Sequence, residues 1–183
     1  MYFRSFICLI LASALFSHLP AQTPGSSQAW QRVQEKMQNY RYGKALTLLK
    51  AMPDDYHQKV RWLVKAGLCH YKSGHFRKAE QHFKAILQRE ENHTRAHIYL
   101  GKIAKQRNNW DTAYKHFKQL LAIQPENTFF LKQAAQIALE RNATASAIEH
   151  FKNVLKVAND DLQALLGLSK IYYNQGSYKA ALQ

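Results

Sequence analysis

The chain has 183 residues, with 26 Lys and Arg against 12 Asp and Glu and a formal net charge of +14. That length holds one ordinary domain. A hydrophobic share of 46% is enough for a core and excludes wholesale disorder, while only 4 Pro and 7 Gly favour long helices over a turn-rich all-β fold.

The elements follow in chain order. Arg4 supplies a positive start, residues 6–16 form an apolar run of 11, and Pro20-Ala21 gives a break and a small residue before Gln22. This is the layout of a secretory signal peptide over 1–21, cut after Ala21. The run is too short for a spanning helix, which needs about 20 apolar residues. Cys8 lies inside the run and not at its end, so it does not read as a lipoprotein cysteine. The leader implies export across the inner membrane, to a periplasmic or envelope-associated location. Its removal leaves Cys69 alone, which excludes an internal disulfide and a multi-cysteine zinc site. Residues 22–27, with Thr-Pro-Gly-Ser-Ser, read as a flexible lead-in to a helical array over 28–183.

That array repeats. His-Phe-Lys begins at His82, at His116 and at His150, 34 residues apart each time. Ala79, Ala113, Ala147 and Ala181 keep the same spacing, as do Leu87, Leu121 and Leu155. Gly67, Gly101, Ala135 and Ser169 form a column of small residues, and Phe76, Trp110, Thr144 and Tyr178 a mostly aromatic one. Within 94–125, apolar residues recur at Ile98, Leu100, Ile103 and Ala104. They recur again at Trp110, Ala113, Tyr114, Phe117, Leu120 and Leu121, giving two blocks of 3.6-type spacing. Between such blocks stand Gly74, Asn108, Asn142 and Gly176, the residue types that most easily take the left-handed conformation ending a helix. Each unit is therefore a helix pair. The small column allows close approach, and Phe83, Phe117 and Phe151 fill the space between neighbouring hairpins.

These columns resemble the tetratricopeptide repeat family, a 34-residue helix-turn-helix with small residues at repeat positions 8 and 20, large ones at 4, 7, 11, 17 and 24, and Pro near 32. Unit 94–127 matches best, through Leu100-Gly101, Trp110, Ala113, Phe117 and Pro125-Glu126-Asn127. Unit 60–93 has His70 in place of a bulky apolar residue and Glu91 in place of Pro, and unit 128–161 has Thr144 at the aromatic position. Unit 26–59 is degenerate, with Val33 where a small residue belongs, and unit 162–183 stops inside its second helix. The resemblance implies an all-α fold, a right-handed α-solenoid of antiparallel helix hairpins. The uncovered apolar end at Ala180-Ala181-Leu182 raises the expectation of a longer protein, with further repeats or an effector domain beyond residue 183.

In this family the first helices line a concave face through positions 2, 5, 9, 12 and 13. Those positions carry Arg61, Lys72, Arg95, Lys102, Lys105, Lys132 and Lys170, with Glu140 as the acidic exception. Aromatic Tyr71, Phe129 and Tyr173 and apolar Val64, Leu68, Ile98 and Leu166 are interleaved. Units 60–93 and 94–127 each carry +4 and unit 128–161 is neutral. A positive, partly apolar groove suits an extended acidic peptide or an anionic polymer. The family's clamp for a C-terminal carboxylate is incomplete here: Lys132 and Gln136 are the nearest match, and Gly167 stands where an Asn is required.

Catalytic and metal motifs do not emerge. His82, His116 and His150 repeat at intervals of about 10 Å in space, whereas zinc ligands bind at about 2.0 Å. His93 and His97 have the i,i+4 spacing of a metal pair but no third ligand nearby in sequence. There is no Gly-rich phosphate loop and no nucleophile elbow, and Cys69 reads as a packed, inert thiol. The expectation is a non-enzymatic scaffold of the bacterial cell envelope without cofactor or metal, which binds a protein or peptide of acidic character. The alternatives are the repeat region of a larger envelope or signalling protein, or a factor that binds anionic cell-wall glycan. Nucleic acid ranks low for an exported chain.

Overall fold

The structure, a computed structural model, describes residues 24–177. The signal-peptide reading at 1–21 and the end of the last unit, with Tyr178 and Ala181, lie outside the described residues. Among those described there are ten helices and no strand. They run α1 (Pro24–Gln38), α2 (Tyr42–Lys50), α3 (Asp54–His57), α4 (Val60–Lys72), α5 (Phe76–Leu87), α6 (Thr94–Gln106), α7 (Trp110–Ile123), α8 (Thr128–Glu140), α9 (Thr144–Val157) and α10 (Leu162–Asn174). The pairs α1–α2, α4–α5, α6–α7 and α8–α9 are hairpins that stack in order as an α-solenoid. The helices α4, α6, α8 and α10 start on Val60, Thr94, Thr128 and Leu162, the first residues of the units read from the sequence. α1 begins at Pro24, so 24–27 are helical where a flexible lead-in is expected; proline suits a first turn, whose N–H groups have no intrahelical partner.

Each hairpin turns by one device. Gly74, Asn108, Asn142 and Gly176 all have positive φ, between 55° and 76°. At each, the following residue donates its N–H five residues back, as His75 does to His70 O (2.9 Å) and Ala143 to Ala138 O (2.8 Å). The positive-φ residue itself donates three residues back, as Asn142 does to Leu139 O (2.9 Å). The two bonds together satisfy carbonyls that the helix end would leave unpaired. The same pattern occurs 34 residues earlier at Tyr40, with φ 56° and the Arg41 N–H on Lys36 O at 2.8 Å. Tyr40 is a bulky residue in a conformation that costs an L-residue about 1–2 kcal/mol. Its ring is 81% exposed and makes an edge contact with Tyr42.

The core is a chain of small-on-large contacts. Ala45, Ala79, Ala113 and Ala147 are fully buried, as are Phe83 and Phe117, and Phe151 nearly so. The Phe83 ring lies against Gly67 of its own hairpin and stacks on Tyr99 of the next, at 5.1 Å between centroids. At Gly101 an added Cβ would sit 2.8 Å from Phe117 Cε2. The degenerate first unit solves the same problem by exchanging volume. It puts Val33 at the small position and Leu49 at the phenylalanine position, and both are fully buried. Trp62 then ties that unit to the next, its Nε1–H donating to Leu49 O at 2.9 Å. Cys69 is buried in α4, and burial pushes its thiol up to about 11, so it stays protonated and inert at neutral pH.

Two predictions follow from this packing. Gly101→Ala loses up to about 2 kcal/mol, because an overpacking cost of about 1–3 outweighs the helix-propensity gain of about 1. Gly43→Ala, with nothing within 4 Å of its Cβ, shows only the gain; urea denaturation of the two variants checks the opposite signs. Tyr40→Gly raises stability by about 1 kcal/mol by removing the left-handed strain, read as an increase in thermal midpoint.

Candidate binding groove

Side chains tie the first helices of successive hairpins together along one face. The Arg61 guanidinium on α4 lies 4.3 Å over the Trp30 ring on α1, and Lys65 Nζ donates to Gln34 Oε1. Tyr71 on α4 meets Tyr99 on α6 at 4.9 Å. Lys102 Nζ stands 5.4 Å from the Tyr99 ring and 5.9 Å from that of Phe129 on α8. Lys105 Nζ donates to Gln133 Oε1 at 2.7 Å, and Lys132 Nζ to Asp161 Oδ2 at 2.6 Å. The face runs unbroken from α1 to the start of α10.

The cations expected on this face fall into distinct groups. Arg61 and Arg95 are exposed and converge on Lys65, which is half-buried. Burial first, then Arg95 and Arg61, hold the Lys65 ammonium below the usual lysine range. Beside them a cleft of about 560 Å³ opens between α1 and α4, lined by Trp30, Gln31, Gln34, Gln38, Arg61 and Lys65 with Ser27 and Glu35, whose carboxylate pairs with Lys36. Lys102 and Lys105 form a second group, both half-buried. Burial and then Lys102 push Lys105 down, and Glu140 opposes the shift. A smaller cleft of about 300 Å³ adjoins it, lined by Lys105, Trp110, Gln136 and Glu140 among others. Lys72 and Lys170 are exposed and join neither group. Phe129 is 42% exposed, and Tyr173 is exposed near the end of α10.

Lys132 differs from the other groove cations. Its partner Asp161 also caps α10, its Oδ1 accepting the Ala164 N–H at 3.0 Å. Lys132 and then the capping bond hold the Asp161 carboxyl below its usual range. By contrast, Arg61, Lys65, Arg95, Lys102 and Lys105 have no ion pair among the described residues. Lys65 escaped the sequence reading because it sits at repeat position 6, outside the expected set. The signal was its place one helical turn after Arg61.

The histidines are used in packing. His93 caps α6, its Nδ1 accepting the Ala96 N–H at 3.1 Å. His97 instead meets His116, with Nδ1 atoms 3.0 Å apart. His150 Nε2 lies 2.9 Å from Tyr114 Oη, and His82 stacks on His70 at 5.4 Å. The repeated histidines thus each have a separate ring partner. Among the described residues no group of three His, Cys, Asp or Glu is placed to hold a metal ion, and no helix is long and apolar enough to cross a membrane.

Comparison with known proteins bears on the fold. A family model described as tetratricopeptide repeat matches residues 70–137 and 138–183. No curated protein sequence matches the chain. Among solved structures, MamA from Desulfovibrio magneticus RS-1 superposes with a TM-score of 0.78 at 15% identity, covering 88% of this chain and 92% of that one. A further MamA crystal structure gives 0.75 at 15% identity, covering 82% and 88%. MamA of AMB-1 gives 0.74 at 17% identity, covering 85% of each chain. At such identities the likeness establishes the solenoid and nothing finer.

Asp161→Ala removes both the α10 cap and the Lys132 partner and is expected to cost about 1–2 kcal/mol. Asp161→Asn, which keeps a capping oxygen, costs less. Equal losses in chemical denaturation would show that the cap contributes nothing.

Proposed function

The chain belongs to the tetratricopeptide repeat family, and on that footing we propose a non-catalytic interaction scaffold of the bacterial cell envelope that holds an acidic protein segment against its basic first-helix face. Arrays of this family are protein–protein interaction scaffolds, so a protein partner is the general expectation; the residues on the face decide its character. The observation that carries the reading is the pair of cation groups without ion pairs, Arg61–Lys65–Arg95 and Lys102–Lys105, on adjoining first helices. Partly desolvated cations that repel one another gain most from an incoming carboxylate. The glutamines beside the cleft are compatible with a peptide backbone. Gln31, Gln34 and Gln38 follow one another along α1 at helical spacing, beside the cleft. A glutamine amide both donates and accepts, matching a peptide backbone that offers an N–H and a C=O at each residue. The envelope setting rests on the leader at 1–21.

Two measurements test this. Binding of a fluorescent Glu-rich peptide is expected to weaken about tenfold or more in Lys102→Glu/Lys105→Glu and to fall with added salt. The same reversal at exposed Lys118 and Lys152 of the second helices should change it little. If both double variants weaken binding equally, the groove has no special role. Sequencing of the mature N-terminus should begin at Gln22; a chain that retains Met1 would remove the support for an envelope location.

A further inference from the structure

Four of the histidines lie in one continuous row. His57 of α3 packs on Trp62 of α4 at 4.6 Å between centroids, and Trp62 on His82 of α5 at 5.5 Å. His82 lies parallel to His70 of α4 at 5.4 Å, with planes 8° apart, and His70 meets His75 of the turn at 5.9 Å. Two nitrogens in this row, His57 Nε2 and His70 Nδ1, are buried without a hydrogen-bond partner. The next hairpin has its own pair. His97 Nε2 lies 2.8 Å from the Glu91 carbonyl oxygen, which only accepts, so the neutral ring carries its proton there. His97 Nδ1 therefore accepts from His116 Nδ1–H.

We propose that these imidazole contacts make the α4–α5 and α6–α7 hairpins acid-labile, so that mild acid opens the two hairpins that carry the unpaired groove cations more readily than α8–α9. At His70 and His116 the surroundings offer a proton little compensation. His70 faces Lys50 of α2 and Lys78 of α5 as well as His82 and His75. His116 faces His97 of α6, Lys84 of α5 and its neighbour Lys115, with Glu80 of α5 opposing them. Asp54, 3.5 Å from His57 Nδ1, is the one carboxylate in ion-pair contact with the row among the described residues. The Arg95 of α6 acts on Lys65, at the groove side of α4. Burial, then the neighbouring positive groups, push His70 and His116 down to about 4, and burial lowers His82.

The sign is unambiguous. At His70 and His116 the unfolded chain takes up a proton near pH 6.5 and the folded chain only near 4. Stability is therefore complete above about pH 6.5 and is lost as pH falls from there towards 4. In α8–α9, burial also lowers His150, but Glu149 opposes that shift, no second imidazole among the described residues stacks on the ring, and the Tyr114 hydroxyl lies at hydrogen-bond distance, so the acid response there is weaker. Release of a groove occupant on acidification would rest in addition on the function proposed above; the loss of stability does not.

Amide hydrogen exchange of the full chain at about pH 7 and about pH 4.5, compared as protection factors, tests the inference. Each proton that the folded hairpin refuses changes its opening constant about tenfold per pH unit. Protection in α4–α5 and α6–α7 should fall at least about tenfold further than in α8–α9. His70→Leu, which puts a bulky apolar residue at that repeat position, should blunt the fall in α4–α5. A uniform loss over all three hairpins, or an unchanged response in His70→Leu, would overturn the proposal. Should that variant not fold, titration of the His Cε1 protons in the unsubstituted chain decides: values for His70 and His116 near 6.5 refute it, and values well below support it.

Discussion

The contact between a phenylalanine at the middle of α5, α7 and α9 and a glycine or alanine on the first helix governs the array. Phe83, Phe117 and Phe151 are each buried at a hairpin seam, and at Gly67 and Gly101 the ring stands where a Cβ would be. One side of the ring thus closes its own hairpin, and the other receives the next hairpin, as Tyr99 does on Phe83. The 34-residue period is what keeps ring and gap in register through successive units. Volume is the quantity conserved. Val33 with Leu49 shares space differently from Gly with Phe, and both members are still fully buried. That constraint involves only inward positions, so the outer side chains of the first helices are free to carry charge.

How much of this was legible depends on how narrow each physical requirement is. A left-handed hairpin turn admits few residue types, so Gly74, Asn108, Asn142 and Gly176 announced it, and the starts of α4, α6, α8 and α10 followed from the register. Tyr40 carries the same turn without any such signal, because a tyrosine there is held by its surroundings against its own preference. The short α3 also lies outside the repeat columns and was not foreseen. The groove was legible as a column of cations but not as a pattern of compensation. Lys132 looked equivalent to Lys102, yet a carboxylate 29 positions further on neutralises it, and only the fold brings the α10 cap residue Asp161 beside α8. The histidine contacts are hidden for a similar reason. His97 and His116 are 19 positions apart, so the local i,i+4 spacing of His93 and His97 drew attention to the wrong pair.

Scarcity of acid explains both electrostatic features at once. With 12 carboxylates for 26 cations, most basic groups must go without a counter-charge. The carboxylates that are paired include those joining neighbouring hairpins: Glu80 to Arg107, Asp111 to Arg141 and Asp161 to Lys132. On the first-helix face, lysines and arginines keep their heads near water and hold their charge while repelling one another. Towards the seams, where hydration is lost, the basic group is an imidazole, which can become neutral at modest cost where a lysine cannot. A histidine therefore sits at inner positions where the fold calls for bulk and tolerates polarity only in uncharged form. The consequence is an array whose outer charge is constant across physiological pH. On the proposal above, the inner seams are neutral at physiological pH and weaken only as the pH falls below about 6.5 towards 4. The two meet on α4, which presents Arg61 and Lys65 to the groove and His70 to the seam.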